Sequence, residues 1–367
     1  MFGEQRVVWF NEGLENLYDI FQGLREADVT GKLRLLASAR NGQPWCASLA
    51  DHVFHEPGRS GNAAYVEWAL AKCQEYDVDM FVPMRSRHQI AAAESRFAAI
   101  GVQLLIAADG RTMRHMSSKS RVYDDLAALG VGIPAWYRAS NLTDFDEAYD
   151  RLREAGHVVC IKPAQGVYGR GFHVIGEPDN RRFSGASEST RLGRPLQKMR
   201  AVLEKKGRFD MVVMQYLEGP ERSVDCVARD GRLVAAVSRV KRSGYQEIES
   251  PEAPSMEFAR IIAKRFRMDG IFNVQTRDHA GKSWLLEVNT RPSGGIGQAM
   301  ASGVNLPWWA IAPRLNLAHE SEVPPPQVGL RVTVIPHAVV VGHASIPAAP
   351  AFTAVTQRPT VSNRGNE

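Results

Sequence analysis

VVCIKPAQGVYGRGF, residues Val158–Phe172, reads as a buried strand, Val158 to Ile161, that ends in Lys162-Pro163 and opens into a glycine-dense turn. Gly166, Gly169 and Gly171 surround an aromatic, Tyr168. Glycine accepts positive φ and lets backbone N–H groups approach a ligand. Successive N–H groups in such a loop form an anion-binding nest, and a lysine adds a compact charge beside it. The pattern fits a clamp for nucleotide phosphates. A plain β-turn beside a solvated lysine fits the same letters.

Upstream of this stretch, strands and helices alternate. Arg6–Phe10, Leu33–Ala37, Met80–Pro83 and Gln103–Ile106 read as strands. Leu14–Arg25, Tyr65–Tyr76 and Ile90–Ile100 carry helical spacing. That alternation implies a parallel, helix-covered sheet, so residues 1–112 are expected to form an α/β domain. Ser117–Gly130 reads as a helix capped by Ser117 or Ser118, and Asp144–Ala155 as the next. Downstream, 177–195 is polar, and Met211–Tyr216 is a strand. Ser223–Arg229 and Arg232–Val240 form a hairpin over Asp230-Gly231. Lys241–Ser255 reads as one long loop, and Met256–Phe266 as a helix. Gly270–Arg277 and Trp284–Asn289 form a second hairpin. Leu330–Val341 reads as one or two terminal strands, and from Ser345 onward disorder is expected.

Composition narrows the function. The chain has 367 residues, 44% hydrophobic and 23% charged, with a formal charge of +5. That is an ordinary globular balance. No apolar run is long enough to span a bilayer, so no membrane partner is expected. The start, MFGEQRVVWF, lacks a basic segment followed by an apolar one, so no signal peptide is expected. Cys46, Cys73, Cys160 and Cys226 are scattered without a CxxC, which argues against a zinc site or disulfide framework and fits a cytoplasmic location. No basic run is interleaved with aromatics, so nucleic acid is not the expected partner. GxSxG and HExxH are absent, and Gly281-Lys282-Ser283 lies where a hairpin turn is expected instead of a phosphate loop.

Two further stretches carry chemistry. In WLLEVNTRPSGG, Glu287 and Asn289 lie two apart on a strand and share a face. Gln275, in NVQTR on the partner strand, can lie opposite, and Arg291 follows. Oxygen donors on one face beside a phosphate clamp suit Mg²⁺; a solvated hairpin face with an Arg–Glu pair is the alternative. In MQYLEGPERSVD, a strand runs into a connector whose free backbone groups can read an adenine edge, and Glu221 can accept from ribose hydroxyls. Taken alone, that stretch is better explained as a surface turn.

Taken in order, Lys119 ahead of Gly132-Ile133-Pro134, then KPAQGVYGRGF, QYLEGPERSVD, NVQ and LLEVNTRPSGG together resemble the ATP-grasp superfamily over residues 1–315. The NxQ and ExNxR version is most similar to the carbamoyl-phosphate synthetase and biotin-carboxylase branch. The resemblance implies an α/β N-terminal Rossmann-like pre-ATP-grasp domain and, over 113–318, a two-lobed α+β ATP-grasp domain. Its lid lobe would span about 135–213 and its metal lobe 214–318. Residues 319–344 are left as terminal strands and 345–367 as a tail. It implies ATP as cosubstrate, with Mg²⁺ or its substitute Mn²⁺. Lys119 and Lys162 would contact the α- and β-phosphates, under the loop of Gly166, Tyr168, Gly169 and Gly171. Gln215, Tyr216 and Leu217 would line the adenine and Glu221 the ribose. Gln275, Glu287 and Asn289 would be metal ligands, and Arg291 would face the γ-phosphate, which makes Arg291 and Lys162 the catalytic pair. Arg239, Lys241 and Arg242 are candidates for holding an acidic substrate, with a solvated basic edge as the alternative for each. Met214 or Gln215 stands where many relatives have Glu, and Gln275 where many have an acid. The implied reaction activates a small-molecule carboxylate as an acyl phosphate for attack by an amine or other nucleophile. The alternative is a nucleotide-binding regulatory or scaffold protein. An isologous dimer is the default expectation.

Overall fold

A computed structural model describes residues 5–40, 44–58, 61–164, 171–176, 194–335 and 338. The expected loop residues Gly166, Tyr168 and Gly169, most of the polar 177–195 stretch and the expected tail lie outside the described residues.

The chain opens with a parallel sheet. Its strands are β1 (Arg6–Phe10), β2 (Leu33–Ala39), β3 (His52–His55), β4 (Met80–Val82) and β5 (Gln103–Leu104), in the order β3-β2-β1-β4-β5. Helices α1 (Asn16–Ala27), α2 (Asn62–Glu75), α3 (Arg87–Ala92) and α4 (Glu94–Ala98) connect these strands. A parallel sheet buried on both faces needs near-continuous apolar strands, and RVVWF supplies one. Trp9 stacks on Phe81 at 4.0 Å between centroids, and its indole donates to Ser38 Oγ at 2.9 Å. The Ile90–Ile100 helix divides at Ala93, whose φ and ψ of −105° and 14° leave the helical region.

Two helices lead out of the sheet. In α5 (Gly110–Met116), the Asp109 side chain accepts from the amides of Arg111 and Thr112, an N-cap pattern. The helix expected over 117–130 is α6 (Lys119–Ala127). Neither expected serine supplies a side-chain cap, and Ser118 Oγ meets Ser120 Oγ instead, at 3.0 Å.

A smaller sheet follows, built from β6 (Trp136–Ala139), β7 (Val159–Pro163), β8 (His173–Ile175) and β9 (Met211–Gln215), in the order β6-β9-β7-β8. Helices α7 (Leu142–Glu154) and α8 (Leu196–Lys206) accompany it. Side chains alternate faces along a strand. Val159 and Ile161 therefore join Phe145, Leu152 and Leu203 in one cluster, while Cys160 joins the larger core on the other face.

The third sheet has six strands: β10 (Glu221–Arg229), β11 (Arg232–Lys241), β12 (Gln246–Ile248), β13 (Gly270–His279), β14 (Lys282–Asn289) and β15 (Arg331–Val332). The order is β14-β13-β10-β11-β12-β15. Both expected hairpins form. Their turns put Asp230, Gly231, Ala280 and Gly281 all at positive φ, the two-residue turn that matches strand twist. The 241–255 segment, read from sequence as one loop, contains β12, which pairs with β11 and β15. Helix α9 (Pro254–Arg265) packs on β10, β11, β13 and β14, and α10 (Ile296–Met300) and α11 (Leu306–Ile311) close the opposite side against α1. One apolar cluster runs from β1, β2 and α1 into β11, α10 and α11, so the first and third sheets share a core.

Candidate nucleotide and metal site

The alternation that buries Val159 and Ile161 on one face of β7 turns Cys160 and Lys162 to the other. That face and the six-stranded sheet enclose a cleft of about 550 Å³. Gly171 returns the chain to β8 with φ of 78°, against Pro163, where a Cβ would lie 2.9 Å from a ring carbon.

Register across the six-stranded sheet lays out the cleft floor. Glu287 lies opposite Gln275, Gln275 opposite Ser223, and Ser223 opposite Arg239. In the next row, Asn289 lies opposite Asn273, and Asn273 opposite Asp225. In the row on the other side, Arg277 lies opposite Glu221, which ion-pairs with Lys241, itself opposite Gln246. The sequence-derived metal set, Gln275, Glu287 and Asn289, is thus contiguous and lines the cleft together with Lys119, Lys162 and Arg291.

Charge is uneven along this floor. Lys119 Nζ stands 3.6 Å from Glu287 Oε2. Lys162 Nζ donates to Tyr123 Oη at 2.9 Å and to the Leu286 carbonyl at 3.2 Å. Burial lowers the pKa of both ammonium groups, against the pull of Glu287. Burial would raise Glu287, yet Lys119, Lys162, the Asn289 amide at 3.0 Å and Arg291 hold its carboxyl below the usual range. Lys119 thus pairs with Glu287, and Lys162 stands in the same cleft within the field of Glu287 and Glu221.

The other candidate residues are placed as follows. Met214, Gln215, Tyr216 and Leu217 line the cleft at the end of β9. The Gln215 and Tyr216 amides already donate to the Ala135 and Val158 carbonyls, so backbone recognition there falls to the groups that remain. The Arg277 guanidinium lies 5.7 Å over the Tyr216 ring and donates to the Gly219 carbonyl. Arg239 is buried and paired with Asp225, with Ser223, Ser293, Gln246 and Gln298 also in contact. Lys241 is committed to Glu221. Arg242 is exposed, outside the cleft lining.

Several residues of the site escape a sequence reading. Tyr123, one helical turn after Lys119, fixes Lys162; the i, i+4 spacing on α6 is the signal that could have found it. Leu286 sits at a β-bulge, where register passes from Gln275 opposite Glu287 to Thr276 opposite Leu285. Arg87, at the start of α3, donates to the Thr290 carbonyl just before Arg291. Asn273 is fully buried, its Nδ2 donates to Ser223, Val224 and Asp225, and its Oδ1 has no hydrogen-bond partner among the described residues. Val224 and Asp225 offer only acceptors there, which fixes the amide orientation.

Known proteins resemble this chain in sequence and fold. A family model described as "ATP-grasp in the biosynthetic pathway with Ter operon" matches residues 208–338. The carbamoyl phosphate synthase large chain of Methanosarcina acetivorans is 22% identical over 256 residues, covering 64% of this chain and 22% of that one. That of Thermomicrobium roseum is 23% identical over 211 residues, 53% of this chain and 18% of that one. The chain thus spans about a fifth of the length of these curated relatives. Biotin carboxylase from Campylobacter jejuni superposes with a TM-score of 0.60 at 15% identity, over 89% of this chain and 74% of that one. L-amino acid ligase from Bacillus licheniformis gives 0.59 at 14% identity, over 88% and 78%. Model, relatives and fold point one way: residues 208–338 match an ATP-grasp family model, the chain is similar to carbamoyl phosphate synthase large chains over 53–64% of its length, and it shares its fold with biotin carboxylase.

Proposed function

We propose that the chain binds ATP in this cleft and uses it to activate a small-molecule carboxylate as an acyl phosphate, which an amine or other nucleophile then attacks. The observation that carries the reading is the meeting of Lys119, 3.6 Å from Glu287, and Lys162 in the lining of one cleft with that carboxylate. Two partly buried ammonium groups in one cleft with that carboxylate leave positive charge uncompensated, at a cost that a polyanion removes. The cleft is large enough for a nucleotide. Its Met214–Leu217 wall supplies a seat for a base, and Glu221, which lines the same cleft, would accept from the ribose hydroxyls.

The donor set fits Mg²⁺, with Mn²⁺ as substitute. Glu287 offers a carboxylate, Gln275 and Asn289 offer amide oxygens, and the unpartnered oxygen of Asn273 lies in the same floor. Such hard oxygens suit a small divalent cation that also takes phosphate oxygens. Bound there, the ion would neutralise charge on the phosphates being transferred. Lys162 and Lys119 would hold the phosphates in line, and Arg291 would face the γ-phosphate and the acyl-phosphate oxygens. Positioning and fixed charge account for most catalysis of this kind. Among the described residues no protein nucleophile is required.

A second reading is a nucleotide-binding regulator without turnover. The observation favouring it is that Glu287 is the single carboxylate of the proposed metal set and the other donors are amides, which hold a divalent ion less firmly. ADP release across a panel of acids and amines separates the two. Tight MgATP binding with no ADP from any acid–amine pair would leave only the regulator.

A further inference from the structure

We propose that Tyr123 is the positioning residue for the Lys162 ammonium, and that through it α6 sets which N–H of that ammonium faces a bound phosphate. This rests on reading the cleft as a nucleotide site. An ammonium on a four-carbon stem is a mobile charge unless its donors are committed. Among the described residues Lys162 commits two of three. One goes to Tyr123 Oη at 2.9 Å and one to the Leu286 carbonyl at 3.2 Å. Tyr123 in turn donates to that same carbonyl at 2.6 Å. The phenol has one proton, and the short bond spends it on Leu286, leaving only its lone pairs for Lys162.

The triangle is built from three elements. Tyr123 is fully buried on α6, and its ring meets Trp136 edge-on at 5.6 Å. The Leu286 carbonyl is available because the β14 bulge leaves that residue without an opposite partner on β13, and bulges re-aim groups in this way. Lys162 arrives on β7 with its Nζ 5.5 Å from the Tyr123 ring centroid. One helix face thus presents Lys119 to the cleft directly and governs Lys162 indirectly.

A double-mutant cycle tests this, with ATP and ADP binding read by calorimetry in the presence of Mg²⁺. Phenylalanine at 123 keeps the ring and removes only the hydroxyl. Tyr123→Phe is expected to weaken nucleotide binding about tenfold, the size of a hydrogen bond to a charged group. In a Lys162→Met background the same change is expected to cost less than about twofold, because the group it positions is gone. An equal loss in both backgrounds, or no loss in the wild-type background, overturns the proposal. Should Tyr123→Phe fail to fold, 3-fluorotyrosine at 123 replaces it as a weaker acceptor of the same shape. A smaller loss confined to the Lys162 background supports the proposal, and none refutes it. A wild-type chain that binds neither ATP nor ADP sinks the nucleotide reading itself and this proposal with it. Tight binding with an additive cycle sinks the Tyr123 role alone.

Discussion

Lys162 and Glu287 show how far single residues can be read. Sequence spacing puts Lys162 at a strand end and Glu287 two residues from Asn289, and the structure brings both to one cleft. Lys162→Ala and Glu287→Ala are each expected to lower ATP turnover by at least about a hundredfold, as loss of a fixed charge at a reacting phosphate does. Unchanged circular dichroism would show the fold intact, and wild-type turnover in either variant would refute the assignment. What spacing cannot supply is the partner: Tyr123, Leu286 and Arg87 reach the site through packing between distant segments. His88 makes a different point. Burial, then Arg87 and Arg114, lower its pKa below the usual 6.5. The unfolded chain therefore takes up a proton first as the pH falls. Its contribution to stability is full above about 6.5 and is lost as the pH drops through the lowered value. His88→Gln is expected to flatten the urea midpoint between pH 7.5 and 5.5, and an unchanged slope would disprove it.

Elements were legible where one strand or helix carries its own signal. The Asp230-Gly231 turn, the apolar β1 and the amphipathic α9 all follow from local chemistry. The hidden elements depend on distant partners. β12 sits in a polar segment and is a strand because β11 and β15 flank it. The polar rows of the cleft floor come from cross-strand register, and the β14 bulge has no local mark. The connector between β9 and β10 illustrates tight element packing. The Gly219 amide donates to the Asp278 carbonyl at 2.9 Å, and a Cβ at Gly219 would lie 2.4 Å from that oxygen. Gly219→Ala must push the connector off the β13–β14 hairpin, so a loss of about 1–3 kcal/mol is expected. A melting temperature equal to wild type would contradict that packing.

At the scale of the whole molecule, the cores decide what can be separated. The first and third sheets share one apolar cluster. Asn16 on α1 donates to the Ser293 carbonyl, and Asn305, ahead of α11, donates to the Gly23 carbonyl of α1. All four cysteines are buried within this packing. Burial pushes the Cys46, Cys73 and Cys160 thiols up to about 12, and thiols this far from ionising are poor nucleophiles. A disulfide reagent at pH 8 is expected to find essentially no reactive thiol until denaturant is added. Rapid labelling of the native chain would show that the packing is looser. The small sheet is the exception in its allegiance. Its outer side is sealed by α7 and α8 in a cluster of its own, while its inner side, through Cys160, Val212 and Met214, leans on the rest. A sheet with a private seal on one side and a shared wall on the other can tilt without melting. A guest lodged against the shared wall would then clamp the tilting piece more than the body it leans on. Amide exchange along β7 and β9 should accordingly slow more than exchange along β1 when ADP is added, and uniform slowing would mean that the molecule moves as one block.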